Sequence, residues 1–202
     1  MKLSIILIAV ISGLLPACSG PRYASDSTAK TNTPQPLVTP LPTPGSLNIP
    51  KPPFNHGFSI ETKYDKFKDH TKVSLSCKVY SKGPFALFLD AGGTYPQQTP
   101  APPETVKFGL VAFSSKIKYQ KSRHLIVLPD GQRFDLGELD HNTDPESDPF
   151  VFETMLTSVA FKTLLQIVNS KSVEMQLNDI EFKLSSENLE ALRDFASRFA
   201  EN

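Results

Sequence analysis

Lys72-Val-Ser-Leu-Ser-Cys-Lys-Val-Tyr80 is the stretch that decides the fold, because its apolar residues occur at every second position. In a β-strand these apolar residues would share one face, and the serines and lysines between them would share the other. Such alternation predicts a strand with one face in the core and one face open. Cys77 lies on the apolar side, where no base or cation close in sequence would activate its thiol. We therefore expect Cys77 to be a small core side chain and not a nucleophile.

Similar short patterns predict further strands on both sides of this stretch. They cover residues 58–64, 85–90, 107–113, 124–128, 133–136 and 150–157. Asp130-Gly131 lies between two of them and supplies residues that tolerate a positive φ, which predicts a β-hairpin. A second hairpin, formed by residues 172–177 and 180–184, is predicted around Asn178-Asp179. Consecutive short strands of this kind predict an antiparallel sheet.

Two helices are predicted to cover that sheet. Residues 161–168 have helical spacing, with their large apolar side chains on one side. A final helix is expected to begin after a cap at Ser185 or Ser186. Its buried stripe would consist of Leu189, Leu192, Phe195, Ala196 and Phe199. The prediction for residues 54–202 is therefore one α+β domain, a sandwich-like antiparallel β-sheet covered by two helices.

The N-terminus has the pattern of a targeting segment. Lys2 is the only charge within residues 1–17, and an apolar run extends from Leu3 to Leu15. That run is too short to cross the ~30 Å hydrocarbon core of a bilayer as a permanent helix, but it suits a signal peptide. Residues 1–17 are therefore predicted to be a signal peptide.

The end of this segment, Leu15-Pro16-Ala17-Cys18, resembles the lipobox of bacterial lipoproteins. The resemblance implies cleavage before Cys18, a diacylglyceryl thioether on its sulfur and acylation of the new amino group. Two or three acyl chains would hold the protein stably on membrane lipid. A non-Asp residue after the cysteine, here Ser19, favours the outer membrane under the enteric sorting rule. An ordinary secretory signal with a chance cysteine is the alternative.

Residues 18–53 are predicted to be the lipidated cysteine and a disordered, proline-rich tether. Eight prolines lie between Pro34 and Pro53, at positions 34, 36, 40, 42, 44, 50, 52 and 53. Proline removes backbone donors and fixes φ, so a helix or central strand is excluded and an extended spacer is expected. With Cys18 lipidated, Cys77 has no partner for an intramolecular disulfide.

The balanced net charge argues against nucleic acid as a partner. The chain carries 21 basic and 21 acidic residues, so nothing in its net charge attracts nucleic acid or anionic lipid in general.

His56, His70, His124 and His141 have no metal-site spacing, and His56 and His70 are expected to be solvated. Gly92-Gly93 is followed by no phosphate-loop residues and is expected to form a tight turn. No catalytic residue and no cofactor is predicted.

Two loops are weighed as binding surfaces. Residues 140–148 place oxygen-bearing side chains at alternate positions, as a calcium loop does, but Pro145 and Val151 replace its required Gly and Glu. A solvated acidic turn is the alternative. The proline-rich loop 94–103 bears an aromatic residue and is a candidate contact surface, with an idle connection as the alternative.

The functional prediction is a non-enzymatic, membrane-anchored lipoprotein of the cell envelope, outside the cytoplasm, that binds another envelope component, such as a protein. Two alternatives remain open. One is an envelope hydrolase whose site is dispersed in the sequence, and the other is a lipoprotein that binds a small ligand or calcium.

Overall fold

Alternating apolar and polar residues build two antiparallel sheets in the computed structural model, which describes residues 47–144 and 150–200. The strands are β1 (Ile60–Asp65), β2 (His70–Lys82), β3 (Phe85–Pro96), β4 (Thr105–Ser114), β5 (His124–Pro129), β6 (Phe134–Glu138), β7 (Asp140–Asp144), β8 (Val151–Ala160), β9 (Val173–Leu177) and β10 (Ile180–Lys183). The helices are α1 (Phe161–Val168) and α2 (Ser186–Ser197).

Sheet A has six strands in the order β1-β2-β3-β4-β8-β7, and sheet B has four in the order β10-β9-β5-β6. All neighbouring strands run antiparallel. The predicted α+β class, with an antiparallel β-architecture and two helices, is confirmed.

The core lies between sheet A on one side and sheet B with the two helices on the other. Val73, Leu75 and Cys77 point into it and are at most 2% exposed, as the alternation in β2 predicts. Phe195 of α2 is fully buried in the same core, and so is Phe199, which was predicted in the helix but lies two residues beyond its end at Ser197. Truncating a buried ring of this kind to Ala would cost about 3–5 kcal/mol.

Local turn and cap chemistry agrees with the predictions. Asp130 and Gly131 have φ values of 47° and 81°, and Asn178 has φ 52°. Ser185 caps α2: its hydroxyl oxygen accepts from the Asn188 backbone N–H, and the Asn188 side chain reaches back to the cap backbone. These positions connect strands and begin a helix where the sequence indicates.

Strand β3 corrects one prediction, because it continues through Gly92-Gly93 to Pro96 without a turn. Gly93 faces the core, where an added Cβ would lie 2.6 Å from the Phe199 ring. Tyr95 follows on the same face and is 6% exposed. The alternation of core-facing positions therefore continues through Gly93. It is not visible in the sequence, because the side chain of Phe199 fills the space that a larger residue at position 93 would occupy.

The structure corrects a second prediction at β7. Residues 140–144 form an edge strand and not an acidic turn. They pair with residues 152–156 of β8. Asp and Asn have low strand propensity, so pairing with β8 overrides the local preference here.

The described segment before β1 is hydrogen-bonded to the end of α1 and to the first turn of α2. The Asn169 side-chain amide donates to the Asn48 carbonyl at 2.8 Å, and the Gly57 N–H donates to Glu187 Oε1 at 2.9 Å. The predicted signal peptide, Cys18 and most of the predicted tether lie outside the described residues. Neither α1 nor α2 combines the length and the apolar character that crossing a bilayer requires.

Candidate binding groove on the open face of sheet A

The face of sheet A that points away from the core is formed by the polar positions of the alternating strands. Cross-strand pairing arranges these positions in rows. One row runs across four strands through Ser76, Asp90, Gly109 and Leu156. The next row runs through Ser74, Gly92, Lys107 and Ser158.

A groove of about 760 Å³ lies over these two rows. This volume is within the range of ~300–1,000 Å³ that is typical of ligand sites. Side chains from β1 to β4 and from β8 line it, among them Glu61, Lys72, Ser74, Asp90, Lys107 and Ser158. Strands of one sheet therefore converge on a single concavity, although their residues are scattered along the chain.

Two glycines shape the groove for different reasons. A Cβ added at Gly92 would meet no atom closer than 4.0 Å, so open space lies above this part of the floor. A Cβ added at Gly109 would lie 2.1 Å from the Met155 carbonyl oxygen. Gly109 thus allows the β8 backbone to approach β4, whereas at Gly92 the space above the strand is open.

Asp90 is the unusual charged group of the groove. Its Oδ1 is buried and has no hydrogen-bond partner among the described residues. Burial raises the pKa of Asp90, and this effect outweighs the hydroxyl of Ser76 and the charge of Lys72, which both act to lower it. An unpaired buried carboxyl oxygen costs free energy, and a ligand that donates a hydrogen bond there would relieve that cost.

The remaining groups in the groove are small hydroxyls and balanced charges. Lys72 and Lys107 oppose Glu61 and Asp90. The hydroxyl side chains are Ser59, Ser74, Ser76, Thr94, Thr105 and Ser158. The groove therefore offers hydrogen-bond donors and acceptors in similar numbers, with no strong excess of either charge.

An aromatic cluster lies on the same face beyond the groove. The ring of Phe113 lies 4.6 Å from that of Phe150 and 5.1 Å from that of Phe152, measured between centroids. Phe150 and Phe152 are each 39% exposed. Phe113 is six residues along β4 from Lys107, which corresponds to about 20 Å at ~3.4 Å per residue. The open face thus has a polar end and an aromatic end.

The histidines are placed differently from one another. His56 was expected to be solvated, but its side chain is only 7% exposed, and its Nε2 lies 3.2 Å from Asp194 Oδ2. The prediction for His56 is wrong because the chain before β1 packs on α2 and does not project into solvent. His70 begins β2 and is partly exposed.

His124 meets two carboxylates at the edge of sheet B. Its Nε2 lies 2.7 Å from Asp135 Oδ1, and its Nδ1 lies 4.0 Å from Glu138 Oε1. The side chains of all three are 40–52% exposed. Both ring nitrogens face acidic groups on the surface, so this arrangement does not provide a base beside a nucleophile in a cavity.

His141 belongs to a buried structural cluster. Its Nε2 lies 3.1 Å from Oε1 of Glu153, a residue that is fully buried in β8. The Glu153 carboxylate also accepts from the backbone N–H groups of Lys118 and Tyr119, each at 2.8 Å. Glu153 therefore ties the connection between β4 and β5 to the strand pair β7–β8.

Cys77 lies in the core, 1% exposed, and burial raises the pKa of its thiol to about 11. A thiol with this pKa is protonated at neutral pH, and only the thiolate is nucleophilic. The structure places Cys77 where the alternation in β2 predicts.

The described residues bear on only part of each of the two loops weighed from the sequence. Residues 145–148 lie outside the described residues, within which no group of three or more His, Cys, Asp or Glu side chains is arranged to hold a metal. In the loop 94–103, Tyr95 packs against Phe199 at 6.0 Å and is not available as a contact residue.

Asp90, Gly92 and Lys107 did not emerge from the sequence as candidate site residues. The signal that could have found them is the alternation 86–88–90–92–94, which continues through the glycine pair. With β3 extended to Pro96, Asp90 and Gly92 fall on the polar face together with Ser74 and Ser76.

Comparison with protein-family models, with curated proteins and with solved structures finds no match for the chain.

Proposed function

We propose that this chain is a membrane-anchored, non-enzymatic lipoprotein of the cell envelope that binds another envelope component through the open face of sheet A. The observation that carries the proposal is the groove over Gly92, where an empty floor lies next to a buried carboxyl oxygen without a partner. Buried polar groups in folded proteins usually have a hydrogen-bond partner, and a bound ligand would supply one here.

The contacts of the described segment before β1 support an accessible groove. Residues 48 and 57 are held against the α1–α2 side, which is opposite to the open face of sheet A. Neither of these contacts involves a residue that lines the groove.

The reactive groups support a binding role over catalysis. The thiol of Cys77 is buried and protonated, and His141 contacts a buried structural carboxylate. His124 is exposed between two acidic residues. Each of these groups has a structural partner or environment that explains it without chemistry.

The proposal is tested by affinity capture from cells that express three forms of the full chain: wild type, Cys18→Ser and Gly92→Val. Cys18→Ser removes the predicted lipid attachment site, and Gly92→Val adds side-chain atoms to the groove floor, where the Cβ position is open. We expect wild type to fractionate with membranes and to retain one stoichiometric component after crosslinking. Gly92→Val should remain in membranes but lose that component.

Two results would contradict the proposal. If Cys18→Ser fractionates with membranes as wild type does, the predicted lipid anchor is wrong. Equal capture by Gly92→Val and wild type would show that the groove is not the binding surface.

A further inference from the structure

The groove also indicates the chemical class of its ligand, on the assumption that the open face of sheet A binds an envelope component. We propose that it binds a hydroxyl-rich saccharide chain, with Asp90 accepting hydrogen bonds from ligand hydroxyls over the Gly92 floor. Lys72 and Lys107 donate to ligand oxygens on either side.

The balance of charge carries the first step. Two lysines and two carboxylates line the same groove, together with six hydroxyl side chains. A strongly anionic ligand would meet Glu61 and Asp90, and a strongly cationic one would meet Lys72 and Lys107. A sugar hydroxyl donates and accepts at once, so it satisfies both kinds of group without carrying a net charge.

The orphaned oxygen carries the second step. Asp90 lines the groove, and its Oδ1 is buried and has no donor among the described residues. A carboxylate oxygen in this situation requires a donor from outside, and hydrogen bonds to a charged acceptor are among the stronger ones. Ser76 lies opposite Asp90 on the neighbouring strand, so a second polar group is present where a ligand hydroxyl would lie.

The position of the groove carries the third step. It lies on the face of sheet A, where the backbone N–H and C=O groups of β2, β3 and β4 already pair between strands. An extended peptide would bind by adding to a free strand edge, which this floor does not provide. Recognition here relies on side chains, and the exposed rings of Phe150 and Phe152 on the same face offer apolar surfaces for a longer chain.

The experiment uses the full chain with Cys18→Ser, which is needed only for handling without lipid. Tetrasaccharides of neutral hexoses, of N-acetylhexosamines and of uronic acids are titrated, and amide chemical shifts and calorimetry are recorded. We expect at least one of the two uncharged tetrasaccharides to shift the amides of Ser74, Gly92 and Ser158, and the uronic acid tetrasaccharide to bind more weakly because it would meet Glu61 and Asp90. Asp90→Ala should weaken that binding about tenfold, a typical effect of losing a hydrogen bond to a charged group. Gly92→Val should weaken it as well, because its side chain occupies the groove floor. Lys162→Ala on α1 is the matched control and should bind as wild type does.

The proposal is overturned if no tetrasaccharide binds at millimolar concentration, or if Gly92→Val binds it as well as wild type does. An acidic octapeptide that shifts the same amides, where the sugars do not, would overturn it as well. These failures are distinct from failure of the binding role itself. If Gly92→Val still loses its captured component in cells while sugars do not bind, the ligand class is wrong and the groove remains the binding surface.

Discussion

At the scale of single residues, Gly92 and Gly93 are neighbours in β3 whose missing side chains point to opposite faces of sheet A. Gly93→Ala places a Cβ 2.6 Å from the Phe199 ring in the core, whereas Gly92→Ala points into open space. We expect Gly93→Ala to lower the free energy of unfolding by about 1–3 kcal/mol through overpacking. Gly92→Ala should leave it unchanged or raise it by up to about 1 kcal/mol, because Ala loses less conformational freedom than Gly. Urea unfolding of the two variants measures this difference, and equal losses would contradict the assignment of faces.

Asp90 gives a second prediction at this scale. Its pKa is raised in the folded state by burial, so ionising it disfavours folding. The penalty is complete above the folded-state pKa and absent below the unfolded-state value of about 3.9. Asp90→Asn should therefore be more stable than wild type at pH 7, by up to about 1 kcal/mol, while binding its ligand less well. Melting temperatures compared at pH 7 and at about pH 3 test this, and a gain that persists at the lower pH would contradict it.

At the scale of elements, Glu153 joins three segments. Its carboxylate holds two backbone N–H groups of the β4–β5 connection and contacts His141 of β7. Glu153→Gln keeps the shape but turns an amide N–H₂ toward one of these donors, so we expect a loss of about 2–3 kcal/mol. Amide hydrogen exchange at Lys118 and Tyr119 should accelerate together with this loss. Glu138→Gln is the control, because that side chain is 52% exposed and its loss should be smaller. Equal losses in the two variants would show that Glu153 has no special role.

At the scale of the whole molecule, the chain before β1 is held on α2 by Asp194. Burial acts to raise the pKa of Asp194, but hydrogen bonds and charge from Arg198 and His56 outweigh it and lower the pKa. The resulting stability is present above the ordinary Asp pKa and is lost as pH falls through the lowered value. Asp194→Asn should cost about 1–2 kcal/mol at pH 7, with accelerated exchange at Gly57. The difference from wild type should shrink below about pH 4. A difference that does not change with pH would contradict the ion pair.

Much of the architecture could be predicted from local patterns, and the reasons are specific. Alternation in β2, the Asp130-Gly131 turn and the Ser185 cap are each encoded within a few residues, so they can be recognised without tertiary structure. Gly92-Gly93 and β7 could not be recognised in this way. The first depends on Phe199, which is more than 100 positions away in the chain, and the second depends on pairing with β8.

The candidate groove was harder to predict for the same reason. Asp90, Lys107 and Ser158 belong to three strands, and only the register of sheet A brings them to one concavity. No short motif connects them in the sequence. The lipobox predicted at Cys18, by contrast, is a contiguous pattern, so it could be proposed from four residues.

The claim that the open face of sheet A is the binding surface is tested most directly by photo-crosslinking in living cells. A photoreactive residue is placed at Ser158 in the groove or at Lys162 on α1, each with Gly92 or with Gly92→Val. We predict one discrete adduct from position 158, no such adduct from position 162, and loss of the adduct in the Gly92→Val background. The same adduct from both positions, or an adduct from position 158 that persists with Gly92→Val, would contradict the account.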